Sequence, residues 1–305
     1  MRRLAIVLLA VVAVVAAPMR TADAAPLFVG VPPAFFAGVV ATFGHPNASP
    51  PGANDFTCVP SAAHPRPVVL VHGTFGNMSD NMGYVSKNLK AKGYCVFALN
   101  YGGPPQFFGY VYGLGPVRES AAQLKAFVEN QVLPATGASQ VDVIGHSQGG
   151  MMPRWYMKFL GGAAKVHALI GLSPSNHGTE VVQRDGGSSE PSGSTPYSDY
   201  CGACADQDAN SEFMQELNAG GDTLPGVEYT VIETMYDVIV TPYESAFLDG
   251  PNVNNFTLQD ICPLDFSEHL GTAFDPIALQ LIFNALDPST AVAPTCGLIL
   301  GALTT

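Results

Sequence analysis

The chain has 305 residues, a mean hydropathy of +0.21 and only 12% charged residues, against about a quarter in an average soluble domain. Its 25 acidic and 13 basic residues leave a formal charge of −12. That balance excludes nucleic-acid binding, which demands basic patches, and does not favour anionic membrane surfaces.

The chain opens on MRRLAIVLLAVVAVVAAPMRTADAA. Two arginines precede an apolar run from Leu4 to Ala17, and Ala22-Asp23-Ala24 closes it. This is the charged, apolar, small-x-small order of a secretory signal peptide. A membrane anchor is the alternative, but a span needs about 20 apolar residues and this run is shorter. Residues 1–24 are expected to be removed, with cleavage after Ala24 or Ala25. Removal takes Arg2, Arg3, Arg20 and Asp23 from the 13 basic and 25 acidic residues, leaving 10 and 24 and a net charge of −14. No other stretch is long and apolar enough to cross a bilayer. Residues 25–305 are then expected to form a single secreted domain, and a monomer.

Six cysteines remain, Cys58, Cys95, Cys201, Cys204, Cys262 and Cys296. An even count in an exported chain predicts three disulfides. Pairing in chain order is the expectation, although spacing alone leaves the connectivity open. The C-x-x-C at 201–204 also suits a redox pair or half a zinc site. No βαβ unit starts there and no second C-x-x-C exists, so a structural loop bridge is preferred and no metal or cofactor is expected.

Residues 26–66 are proline-rich, with one short helix expected in PAFFAGVVATFG. PVVLVHG (67–73) is an apolar β-branched run ended by His-Gly, hence a buried strand. NMGYVSKNLKAKG (81–93) sets Met82, Val85 and Leu89 on one helical face and ends on Gly93. YCVFALNYG (94–102) is the next strand, RESAAQLKAFVENQVL (118–133) a helix, and QVDVIG (140–145) a strand. GGMMPRWYMKFL (149–160) is a helix with Pro153 in its first turns, and VHALIGLS (166–173) a strand. Regularity breaks over 178–227, an insert with one helix at SEFMQELNA and a possible lid. EYTVIET (228–234) resumes the strands and DPIALQLIFNAL (275–286) closes with a helix. Alternating strands and helices predict an α/β fold whose mostly parallel sheet is covered on both faces.

Gly145-His146-Ser147-Gln148-Gly149 matches G-x-S-x-G between a strand and a helix, the context this motif requires. A nucleophile on so sharp a turn has crowded neighbours, which is why the −2 and +2 positions are glycine. A serine hydroxyl is a weak nucleophile and needs a base. His167 opens a strand and reads as structural. His177, in SPSNHGT, comes too early in the Ser–Asp–His order and reads as loop-shaping. His269, in DFSEHLG, is the best base. Asp237, just past a late strand, is the preferred carboxylate to orient it, with Asp260 second. Glu233 would fall inside the strand, Asp265 reads as a loop cap, and Asp249 sits in a turn-like context. Two N–H donors are needed for the oxyanion: Gln148 after the nucleophile, and Thr74 in VHGTFGN, with Phe75 the fallback.

GGPPQFFGYVYGLGP (102–116) follows a strand on the same side and holds no charge. Phe107, Phe108 and Tyr110, with Phe75, are candidate substrate contacts along an acyl channel or lipid-facing surface. A buried loop on the core is the alternative. Three N-x-S/T sites occur, at Asn47, Asn77 and Asn255.

Together, VVLVHGTFGN, VDVIGHSQGGMMPRWYMKFL, LSPSNHGT, MYDVIVTPY and EHLG make residues 60–290 resemble a secreted bacterial lipase of the α/β-hydrolase superfamily, of the actinobacterial kind. The resemblance implies hydrolysis of acylglycerol esters by Ser147, Asp237 and His269, with backbone donors at Thr74 and Gln148. It also implies no metal, and a lipid or ester substrate that can lie at an oil–water interface. An envelope acyltransferase and a non-catalytic lipid-binding surface protein are the rival readings.

Overall fold

A computed structural model of the chain describes residues 47–103, 110–180 and 201–301, together with Val40 and His45. The N-terminal segment read as a signal peptide, the helix expected near residues 33–44 (apart from Val40), Phe107, Phe108 and residues 181–200 of the insert lie outside the described residues.

Six strands form one parallel sheet: β1 (Val68–Val71), β2 (Val96–Leu99), β3 (Val141–His146), β4 (Val166–Leu172), β5 (Glu228–Glu233) and β6 (Val253–Thr257). Their spatial order is β2-β1-β3-β4-β5-β6. Strands β1 to β4 are buried almost throughout, as a sheet covered on both faces requires, so their sequences read as unbroken apolar runs. β6 was not expected from the sequence. It is an edge strand, VNNFT, with Asn254 and Asn255 exposed, so it lacks the apolar run that marks the others.

Alternate residues of each strand enter opposite cores. Val69, Val71, Phe97, Val143, Leu169 and Val231 face helices α2 (Val117–Phe127) and α3 (Gln148–Phe159). Val68, Leu70, Val96, Ile144, Ile170 and Ile232 face α1 (Met78–Ala91) and α4 (Pro276–Leu286). The period of 2 in the strands thus meets the apolar stripes of helices on each side.

The helix boundaries follow local chemistry. α1 begins three residues before the expected position, because Asn77 caps it. The Asn77 side chain accepts from the N–H groups of Ser79 and Asp80, and Asp80 accepts from the Asn77 backbone N–H at 2.8 Å. The Asn77 side-chain amide also donates to Asp80 at 2.6 Å. Asn77 is buried, so this sequon offers no free amide to a glycosylating enzyme. The helix expected at 118–133 starts at Val117, widens into a π turn at Val128–Val132 and ends at the left-handed Gly137.

Residues 201–227 of the insert join the core rather than standing off from it. Ala203, Phe213, Met214 and Leu217 are buried beside α2 and α3, and Phe213 stacks on Trp155 with centroids 4.9 Å apart.

The cysteines pair in chain order, Cys58–Cys95, Cys201–Cys204 and Cys262–Cys296. The first ties the segment before β1 to β2 across 37 residues, and the third clips the C-terminal tail across 34. Loops of that length remove far more freedom from the unfolded chain than the three-residue loop of Cys201–Cys204. Replacing Cys262 and Cys296 together by serine is therefore expected to lower unfolding stability by about 3–4 kcal/mol, read as a shift in the urea midpoint. The Cys201/Cys204 double replacement is expected to cost distinctly less.

Candidate active site

The carboxyl ends of β1, β3, β4 and β5 converge on one edge of the sheet, the edge where ligands of open α/β sheets bind. Three of the four described non-glycine residues with positive φ lie there: Phe75 (64°), Ser147 (56°) and Ser173 (44°). Such conformations cost about 1–3 kcal/mol each and persist where surrounding structure over-determines them.

At Ser147 the cause is steric. β3 runs straight into α3 with Ser147 as the joint, at φ 56°, ψ −126°. A Cβ added at Gly145 would stand 1.9 Å from the Gly149 carbonyl oxygen, and one at Gly149 would stand 2.3 Å from the Val71 carbonyl oxygen. The −2 position is therefore crowded by the +2 backbone, as expected, but the +2 position is crowded by β1. The turn is wedged between its own helix and the neighbouring strand. It holds Ser147 at the head of α3, where the first N–H groups lack intrahelical partners.

His269 reaches the same edge from the loop before α4. Its Nδ1 lies 2.6 Å from Asp237 Oδ2, and its carbonyl oxygen accepts from His146 Nε2 at 2.8 Å and Thr272 Oγ1 at 2.9 Å. His146 is the residue before Ser147, so the turn and the His269 loop are tied directly. Burial, then the nearby His269 charge, push the His146 imidazole down to about 3. It is a neutral donor whose proton sits on Nε2. Among the described residues, no hydrogen bond joins Ser147 Oγ to His269; in free enzymes such contacts often tighten only when substrate binds.

Asp237 is held on both oxygens. Oδ1 accepts the N–H groups of Ile239 and Val240, each at 2.8 Å, and Oδ2 faces His269. Burial alone raises such a carboxyl, yet the His269 charge and these hydrogen bonds hold Asp237 below its ordinary range. For His269 the balance runs the other way. Burial pulls the imidazole down, and the charge and hydrogen bond of Asp237 more than reverse this and raise it.

Thr74 and Gln148 face one another across the turn, Thr74 Oγ1 lying 3.4 Å from Gln148 Oε1. Gln207 Nε2 donates to Thr74 Oγ1 at 2.9 Å, and Ser175 donates to Gln207 Oε1 at 2.7 Å. Tyr101 Oη contacts the His72 carbonyl oxygen at 2.5 Å and Gln148 Oε1 at 3.1 Å. Phe75 N–H is taken by the Tyr112 carbonyl at 3.1 Å. Gln207 and Tyr101 carried no sequence signal, since they meet Thr74 and Gln148 only through the fold.

The remaining candidates separate. His167 pairs with Asp142 at 2.8 Å, at the opposite ends of β3 and β4, where Arg66 also meets Asp142. His177 bonds the Ser245 carbonyl and Asp222, which shapes its loop. Asp260 is exposed on a short helix, and Asp265 caps Ser267 N–H. In the uncharged loop, Val111 and Leu114 are buried in the core, and the Tyr110 carbonyl accepts from Asn77 Nδ2 at 3.2 Å. This end of the loop is packed rather than open. Among the described residues no group of His, Cys, Asp and Glu is arranged to hold a metal ion.

Residues 65–281 match the family Lipase (class 2). A triacylglycerol lipase of Pseudarthrobacter phenanthrenivorans is 38% identical over 99 residues, 31% of this chain and 28% of that protein. A triacylglycerol lipase of Burkholderia plantarii is also 38% identical over 99 residues, 31% of this chain and 25% of that protein. The chain thus matches about a quarter of the length of these curated relatives. In fold it is similar to Aspergillus fumigatus lipase B, with a TM-score of 0.59 and 24% identity over 81% of this chain and 56% of that one. The mature form of the Bacillus licheniformis lipase BlEst2 gives a TM-score of 0.54 and 14% identity, over 74% of this chain and 94% of that one.

Burial and Asp237 act on His269 in opposite senses, which a titration separates. The wild-type imidazole is expected to titrate above its ordinary value of about 6.5. In Asp237→Asn the charge is gone, burial prevails, and the NMR titration midpoint is expected below that value.

Proposed function

The chain belongs to the Lipase (class 2) family, and from that premise we propose that it is a secreted serine ester hydrolase acting on acylglycerol esters. The observation that carries this reading is the 2.6 Å Asp237–His269 pair tied through His146 to the strained Ser147 turn. A serine held at φ 56° serves no packing purpose that glycine would not serve there without strain, so its hydroxyl is the reason for it.

In this mechanism His269 Nε2 takes the Ser147 proton as Oγ attacks the ester carbonyl. Asp237 holds the other ring nitrogen and stabilises the imidazolium. The oxyanion accepts from the N–H groups of Thr74 and Gln148, aimed by the helix head and by the Gln207–Thr74 contact. The imidazolium then gives its proton to the leaving alcohol, and an acyl-enzyme remains on Ser147. Water, deprotonated by His269, attacks this ester, and collapse returns free serine and a fatty acid. Three disulfides suit the secretory leader read at residues 1–24, because such bridges persist outside the cytosol.

The lipid-facing surface in this reading lies beside His269. Leu264, Phe266, Leu298 and Leu300 are 51%, 37%, 61% and 45% exposed. Phe266 N–H bonds the Ile299 carbonyl and Ile299 N–H the Leu264 carbonyl, so the two segments run side by side as a short parallel bridge about Asp265 and Ile299. With the period of two, Asp265 and Ile299 turn inward and the four flanking side chains turn out. Met235 and Ile239, on the Asp237 loop, are 44% and 37% exposed, and Tyr236 stacks on Phe266. Apolar side chains grouped around reacting loops favour contact with aggregated, uncharged lipid.

Ser147→Ala is expected to lower kcat on a p-nitrophenyl ester by roughly 10^6-fold and to abolish fluorophosphonate labelling. Wild-type turnover by the alanine protein would sink the mechanism. Leu264→Asp/Phe266→Asp is expected to lose activity on emulsified triacylglycerol by a larger factor than on a soluble short-chain ester, measured on the same preparation.

A further inference from the structure

Glu233 closes β5 with a side chain that is fully buried. One oxygen is well satisfied: Oε1 accepts from Ser173 Oγ at 2.9 Å and from Thr234 N–H at 2.7 Å. The other is not. No N–H or O–H reaches Oε2, and the side chain lies within hydrogen-bonding reach of Asp237. Asp237 itself is anchored by the Thr234 carbonyl, which accepts its N–H at 3.1 Å. The two carboxyl groups are therefore held against one another by one short turn.

An ionised Glu233 would leave a bare carboxylate oxygen buried beside a second carboxylate, the arrangement that forces one of two acids to keep its proton. Asp237 cannot be that one. It faces the imidazole and two N–H groups, all of which stabilise its charge. Glu233 has only neutral donors on its other oxygen and, on this one, a negative neighbour. We propose that Glu233 is a neutral carboxylic acid whose Oε2–H donates to the Asp237 carboxylate, making it a fourth, positioning member behind Ser147, His269 and Asp237. Burial and the Asp237 charge both raise the Glu233 carboxyl well above its ordinary range, in keeping with this.

The proton does two things. It fixes the plane of the Asp237 carboxylate from the side opposite His269. It also cancels a charge that would otherwise add to the pull of Asp237 and Glu268 on the His269 imidazolium. The groups facing the pair are His269, Glu268 and His146 from the site loops, Tyr243 from the segment after β5, and the hydroxyl of Ser173, which also contacts Thr272 Oγ1 at 3.1 Å. From its sequence position Glu233 is expected inside the strand, away from the site. It is in fact the last residue of β5, at the edge where the site forms.

This inference rests on the proposed ester hydrolysis, and its test keeps the two apart. Infrared spectra at neutral pH, with glutamate carboxyls isotopically labelled, are compared between wild type and Glu233→Gln. The expected result is the loss of one protonated glutamic C=O band. Asp80, pushed up to about 8, and Asp275, pushed up to about 7, are excluded by the label, and Glu268 by the subtraction. This reading needs no turnover, so it stands or falls independently of Ser147→Ala. In kinetics, Glu233→Gln keeps a donor toward Asp237, and the acid limb of kcat/KM is expected to stay in place with a loss of at most about threefold. Glu233→Leu removes the donor, and kcat is expected to fall by about ten- to a hundredfold with KM little changed. No lost band, or an acid limb that drops in Glu233→Gln because a negative charge has gone, would overturn the proposal. So would a Glu233→Leu protein that melts earlier but keeps wild-type kcat at temperatures where it is folded.

Discussion

The carboxyl edge of the sheet is organised by how closely the Gly145–Gly149 turn lies against β1. With 1.9 Å and 2.3 Å to backbone oxygens at the two glycine Cβ positions, neither the strand nor the helix can retreat, because β1 is buried throughout and α3 is buried from Gln148 to Met157. The wedge sets where Ser147 stands and where α3 begins. It also decides which carbonyls of β1 come near, so the Thr74 loop must leave β1 at that point. Left-handed backbone recurs at Phe75 and Ser173, which follow the two strands flanking the turn.

Around that wedge the chain buries charge, although it has little charge to spend. Asp237 stays ionised because donors surround it, His146 stays neutral because burial and the His269 charge outweigh the carbonyl and carboxylate that favour its proton, and His269 sits between them. The same logic recurs away from the site. Asp80, tied to Asn77 at the head of α1, is pushed up to about 8 by burial that its hydrogen bonds do not fully offset. In a protein with 12% charged residues, a fully buried carboxyl is conspicuous, and each one found here meets either a helix cap, a histidine or another acid.

Outside, the C-terminal tail has a role that its composition hides. Cys262–Cys296 returns the tail to the loop that carries His269, and the bridge at Asp265 and Ile299 turns alternate leucines and a phenylalanine outward. One disulfide therefore contributes both to stability and to the apolar rim near the site.

Much of this was legible in the chain itself, wherever the signal was local. Five of the strands announce themselves as short apolar runs, the turn as G-x-S-x-G between a strand and a helix, and Asp237 and His269 by their order after Ser147. β6 was not legible, because an exposed edge strand such as VNNFT has no apolar period to read. Neither were the ties of His146 to the His269 carbonyl, of Gln207 to Thr74, and of Glu233 to Asp237. The sequence by itself determined which residue types could meet at this edge. The tertiary structure alone decided which of them touch and which buried acid faces another, because those contacts join residues from separate strands and loops whose separation only the folded backbone sets.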